Sequence, residues 1–333
     1  MDFTVEPWAP GYGTPAPDDL EASGAQVDVG VELPAGAWRP VAPVGPRAET
    51  VAFVDGVRRV DAQVWVAGGD GQARLGVCAS CAAGIVSCDG GARGEGGRRG
   101  EGTATVERVE VRREVLCPVG GLRPIRARQV TYHPRVCPAG SAAGLGLAVQ
   151  QRMRQLEIGV TSRAPSVDLL VIDGPLRGRQ DLPGAVGLVK AHQVAYLPPV
   201  AADVVGRLDA GERTPLFLMA TSWTRLSWYV RLPGAGGHGW AGVVRVEASA
   251  DLPVSEARRL ADLTAVTLPA FASAAHKDPR APANLYPIGG LERVLRRRLG
   301  DPALLLRCLQ AAAAPQSKDL HPKYSVTRAG SSR

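Results

Sequence analysis

Asp55 and Asp173 each close an apolar run at a glycine, in VAFVDG and DLLVIDG. A carboxylate at the end of a buried strand is held rigidly near the core and loses part of its hydration, a cost that a cation offsets. Asp-Gly is also a common hairpin dipeptide, so either aspartate alone reads as a turn. Glu157 changes the balance. At about 100° per residue it lies about 40° from Met153 and about 80° from Val149, leaning toward the apolar stripe of its helix. Placed 16 residues before Asp173, a carboxylate that faces the sheet can meet both aspartates. Hard oxygen donors gathered in this way suit divalent cations.

Other patterns carry less. Cys78 and Cys81 form a C-x-x-C with Cys88 seven residues on, but no second pair follows at a zinc-ribbon distance. Their run, RLGVCASCAAGIVSCDG, reads as an apolar strand in which cysteine is a small buried hydrophobe. Gly140, Gly144 and Gly146 have the spacing of a dinucleotide turn, yet none of the four lysines has a tyrosine four residues before it. There is no P-loop and no G-x-S-x-G elbow. Arg58 and Arg59 follow Asp55 closely enough to reach the neighbours of a scissile phosphate. Arg225, Arg231 and Arg245 alternate with Trp223, Trp228 and Tyr229 on strands, a pattern that suits stacked single-stranded DNA or, equally, a packed core. Arg293, Arg296, Arg297 and Arg298 read as a solvated helix face.

The chain order strand-Asp, antiparallel strands, helix-Glu, strand-Asp resembles the acidic cluster of ribonuclease H-like folds. FVDGVRR, Glu157, VIDGPLRG, GLVKAHQ, TSWTRLSWYVRL and GVVRVEAS together resemble the NurA nucleases over roughly residues 49–312. The resemblance implies a ribonuclease H-like α/β core with a mixed β-sheet, elaborated by extra antiparallel strands and C-terminal helices. It implies a homodimer with single-strand 5′–3′ exonuclease and endonuclease activity on DNA, acting in end resection and break repair beside a hexameric HerA-type ATPase. Manganese, with magnesium as the alternative, would be held by Asp55, Glu157 and Asp173, and Lys190 matches a basic position suited to phosphate. The family commonly carries a tyrosine and, about eight residues on, a histidine or aspartate; here Tyr286 is followed at that distance by Val294. His276 is the expected replacement as ligand or general acid, with Asp278 as its orienter and Glu292 the further candidate. DNA contacts are expected from Arg58, Arg59, Lys190, Arg225 and Arg245. A NurA-like protein that has lost the C-terminal ligand and serves as a DNA or ATPase adaptor is the competing reading.

The elements that must position these groups are legible in outline. The chain has 333 residues, 45% apolar and 21% charged, enough for a packed core and incompatible with a disordered or fibrous chain. Thirty-nine basic residues face 32 acidic ones, and only four of the basic residues are lysine. Arginine suits phosphate, but a GC-rich genome writes the same bias. No apolar run of about 18 residues is present, and the first 20 residues lack a basic, then apolar, leader. The expectation is a cytoplasmic protein with no membrane segment. Residues 1–48 read as an extended Pro/Gly-rich arm, 49–314 as one nuclease domain with a solvated loop at 89–103, and 315–333 as a disordered tail. Strands are expected at 49–56, 57–67, 75–88, 104–117, 167–174, 186–197, 214–221, 225–232 and 241–249. Helices are expected from about 138 through Leu156, then at 199–209, 254–275, 288–299 and 301–314.

Overall fold

The computed structural model describes residues 23–89, 104–192, 194–234, 236 and 238–314. Among the described residues eleven strands form one mixed sheet: β1 (Gln26–Asp28), β2 (Thr50–Ala67), β3 (Ala73–Asp89), β4 (Ala104–Cys117), β5 (Ile125–Ala127), β6 (Val130–Val136), β7 (Leu169–Asp173), β8 (Ala185–Val189), β9 (Phe217–Ala220), β10 (Thr224–Arg231) and β11 (Val243–Ser249). Five α-helices among the same described residues accompany it: α1 (Ala142–Thr161), α2 (Pro199–Gly206), α3 (Val254–Thr267), α4 (Tyr286–Arg298) and α5 (Pro302–Ala313). The strand order is β1-β9-β10-β11-β8-β7-β2-β3-β4-β6-β5. Strands β2, β7 and β8 are mutually parallel, while β8, β11, β10, β9 and β1 alternate antiparallel. The fold is therefore α/β with a large mixed sheet.

The chain divides into two compact units, where sequence patterning shows no boundary. The larger holds the described residues of 1–57, 82–110 and 153–296; the smaller holds those of 58–81, 111–152 and 297–333. In the larger, Trp38, Leu197, Val204, Val205, Phe217, Met219 and Tyr229 form one buried cluster. In the smaller, Cys78, Val115, Ala127, Tyr132 and Leu309 form another.

Several expected boundaries move. The two runs at 49–56 and 57–67 are one strand, β2, which passes through Asp55-Gly56 without turning. The strand expected at 186–197 stops at Val189. The helix expected to run to 275 ends at Thr267 and tightens into a 3₁₀ turn at Leu268–Phe271, where Pro269 cannot donate to the ladder. The N-terminal arm is tied down from β1 onward. Val27 pairs with Met219, and Trp38 is buried with its indole donating to the Val29 carbonyl. Glu32 accepts two hydrogen bonds from the fully buried Arg213, at 2.8 and 2.9 Å, and Arg213 also donates to Asp262 at 2.7 Å. Arm residues 1–22, loop residues 90–103 and the tail 315–333 lie outside the described residues. Among those described, no helix is long and apolar enough to cross a membrane.

Candidate functional site

Parallel pairing sets the first two carboxylates side by side. β2 and β7 pair Val54 with Ile172, and one residue further each strand carries its aspartate. Asp55 and Asp173 are therefore neighbours across one strand spacing, about 4.8 Å. β7 in turn pairs Asp173 with Leu188 on β8, so Lys190, two residues beyond Leu188, addresses the same face. Its Nζ donates to Asp173 Oδ2 at 2.7 Å and to Asn284 Oδ1 at 2.8 Å. Asn284 is fully buried and donates to Asp278 Oδ2 at 2.7 Å. A Cβ at Gly187 would lie 2.5 Å from the Leu176 nitrogen, which explains why β8 carries glycine where the chain leaving Asp173 crosses it.

Glu157 arrives from α1, whose buried Leu156 and Val160 turn it inward. It reaches β2 at Gly56: an added Cβ there would overlap its carboxylate and lie 2.8 Å from its Cγ. Gly56 is thus a close-approach glycine inside a strand. This replaces the reading of Asp55-Gly56 as a strand end. Arg179 Nη1 lies 3.3 Å from Glu157 Oε2, both side chains being buried, and Arg179 Nη2 donates to the Pro175 carbonyl. Nothing in the sequence marks Arg179, since RGRQ reads as an ordinary polar turn.

The electrostatics are those of crowded negative charge. Burial raises the Asp55 carboxyl well above the ordinary range, Asp173 and Glu157 push the same way, and Lys190 only partly opposes them. Among the described residues its one hydrogen-bond donor is the Gly56 amide, at 2.7 Å. Burial also raises Glu157, against the pull of Arg179 and with a further push from Asp173. Glu292, on α4, adds to the field at Asp55. Its own carboxyl is lowered, because bonds from Arg296 and Arg280 outweigh burial.

The structure brings Asp55, Glu157, Asp173 and Lys190 into one electrostatic unit, with Asp278 joined through Asn284 and Glu292 close enough to matter. It does not bring in His276, which is exposed on the turn at 275–277. Two expected DNA contacts are corrected. Arg225 and Arg245 are buried, and both donate to Glu247 Oε1, at 2.8 and 2.9 Å. Glu247 Oε2 accepts from the Leu176 amide at 3.2 Å, so these arginines secure the segment that follows Asp173. A buried charge held this way is unavailable to a phosphate. Arg59 is also occupied, donating to Asp61 and to the carbonyls of Leu299 and Gly300, whereas Arg58 is exposed. The cysteines behave as apolar strand residues: burial pushes the Cys78 and Cys81 thiols up to about 12 and Cys88 to about 11.

In kind, three carboxylates fit a hard divalent cation, and a buried Asp55 with one amide donor fits a site that a cation would complete. In arrangement, the cationic part is filled by Lys190 on Asp173 and by Arg179 on Glu157. Among the described residues no group of three or more His, Cys, Asp or Glu side chains is gathered as a metal site. No protein-family model matches the sequence, and a search of curated proteins gives no significant match.

Proposed function

We propose that the chain is a metal-dependent DNA phosphodiesterase of the NurA type, on a ribonuclease H-like core. Asp55, Glu157 and Asp173 would hold manganese, with magnesium as the alternative. The observation that carries the reading is Asp55: a buried carboxylate in the field of two others, with one amide donor and no cationic hydrogen-bond partner among the described residues. A bound divalent ion would supply a lowered pKa for water and charge neutralisation at the phosphodiester. The chain's own residues do the positioning. Asp55 and Asp173 fix oxygen donors on adjacent parallel strands, and Gly56 lets Glu157 come down beside them. Arg179 holds Glu157 in place. Lys190, tethered by Asn284, balances Asp173 and presents an ammonium where a phosphate would arrive. The reading brings with it a homodimer, a hexameric HerA-type ATPase partner, action in end resection and a cytoplasmic location.

The adaptor reading is favoured by one observation: two of the three carboxylates already have a cationic partner. Manganese titration, followed by calorimetry and by melting temperature, separates the two. The nuclease reading expects saturable binding in the wild type that is lost in Asp55→Asn and in Asp173→Asn. Equal responses in all three proteins would refute it.

A further inference from the structure

Positive charge is concentrated in the smaller unit. Its described residues carry 13 arginines against four acidic residues, a balance of +9, while the whole chain balances at +7. All four acids are already engaged. Asp61 accepts from Arg59, Ser80 and Tyr132, and Asp70 pairs with Arg74. Glu114 accepts from Arg152 and Arg135, and Asp301 caps α5 through the Leu304 amide. Among the described residues of this unit no acidic side chain is left for Arg123, Arg126 and Arg128. All three are exposed, and among the described residues their side chains have no partner.

Arg126 and Arg128 lie on one hairpin, and Arg123 stands two residues before it. β5 ends the sheet, and it pairs with β6 through Ile125–Tyr132, Arg126–Thr131 and Ala127–Val130, leaving Arg128 and Gln129 as a two-residue turn. Arg128 has φ 58°, the left-handed region that such turns normally give to Asn or Gly. It is the one non-glycine residue with positive φ among those described. Backbone strain of this kind is retained where the side chain is of use. Behind the hairpin, Ala127 and Tyr132 are buried against Cys78, Val115 and Leu309, so the ribbon is anchored. A firmly held two-stranded ribbon carrying unpaired guanidiniums matches the backbone and groove of a nucleic acid.

We infer that the β5–β6 hairpin is a sequence-independent contact for the DNA phosphate backbone. The inference takes DNA from the nuclease reading and adds the place where it is held; it makes no use of the carboxylates. The test is fluorescence anisotropy with a labelled DNA of mixed sequence, in EDTA so that no cleavage occurs, across a salt series. The triple variant Arg123→Ala, Arg126→Ala, Arg128→Gly should lower the slope of log K against log salt by roughly 2–3, about 0.7–0.9 for each phosphate that no arginine neutralises any longer. Arg128→Gly alone should weaken binding while its melting temperature stays at or above that of the wild type, since glycine suits this φ. Together with Arg126→Gln, it keeps the test readable should the triple variant fail to fold. Arg74→Ala, on a different hairpin, should leave the slope unchanged.

Wild-type affinity and slope in the hairpin variants would overturn the inference. So would tighter binding to phosphatidylserine vesicles than to DNA, abolished in the same variants, which would assign the surface to a membrane. A silent cleavage assay beside intact, salt-sensitive DNA binding would sink the nuclease reading and leave this one standing.

Discussion

Gly56→Ala probes the assembly of the carboxylates without requiring a metal. The added methyl would lie 2.8 and 2.9 Å from Glu157 Cγ and Cδ, where ordinary contacts are 3.4–4 Å. Glu157 must therefore retreat by about 0.5–1 Å. It has little room, being buried and 3.3 Å from Arg179. Overpacking of this kind costs about 1–3 kcal/mol, and loosening the buried pair adds to that. Removing a strand glycine returns about 0.5–1 kcal/mol, so a net loss of about 1–3 kcal/mol is expected. In a unit of this size that lowers the melting temperature by about 2–4 °C per kcal/mol. On the nuclease reading cleavage should fall further, by about 10²-fold, the loss expected when a group positioned for the reaction is displaced by about 1 Å. Gly159→Ala is the matched control. It lies on the same helix as Glu157 with nothing within 4 Å of the new methyl, and it should stabilise by about 0.5–1 kcal/mol. Melting in EDTA and a DNA cleavage assay on both variants read the comparison. If Gly56→Ala melts and cleaves like the wild type, Glu157 does not sit against β2 and the cluster is wrongly assembled.

Asp55→Asn tests the crowding of charge. A carboxyl whose folded pKa is raised favours folding only while protonated, and that advantage is lost as pH rises through the folded value. The metal-free variant should therefore melt above the wild type at pH 7–8, and the difference should vanish below about pH 4. His192 works with the opposite sign. Burial, and less strongly Arg245, lower its pKa from 6.5 to about 4 despite its bond to the Val243 carbonyl. Stability tied to the neutral ring is present above pH 6.5 and lost on acidification toward 4, by up to about 3 kcal/mol. His192→Gln should flatten the melting temperature across that window, and an unchanged profile would contradict it. With thiols at about 12, Cys78 and Cys81 should resist a thiol reagent at pH 8 until the protein is denatured.

Asp55, Glu157 and Asp173 are legible in the sequence because apolar context marks a carboxylate that the fold must accommodate. Helical spacing is enough to turn Glu157 inward. What the sequence hides is partnership. Arg225 and Arg245 stand among aromatics as a single-strand DNA surface would, and only the β10–β11 register puts Ser227 opposite Glu247 and so brings both arginines to one carboxylate. A local sign is available, since Arg245 and Glu247 are two apart on a strand and share a face. Arg179 and Asn284 offer none; each acts through a residue distant in the chain, Glu157 in one case and Lys190 in the other. Asp55-Gly56 misleads because glycine serves turns and close approaches alike, and only the position of α1 distinguishes them. His276 is attractive for its chemistry, yet it sits on an exposed turn, and Asp278 and Glu292 are the acids tied to the network.

The most direct measurement is manganese-dependent cleavage of linear DNA by the purified chain and by Asp55→Asn prepared in parallel. The nuclease account expects wild-type cleavage that EDTA abolishes and manganese restores, with a loss of at least about 10²–10³-fold in Asp55→Asn while the variant remains folded. Cleavage by Asp55→Asn at the wild-type rate, or a wild type that binds DNA in manganese without cutting it, would contradict the account.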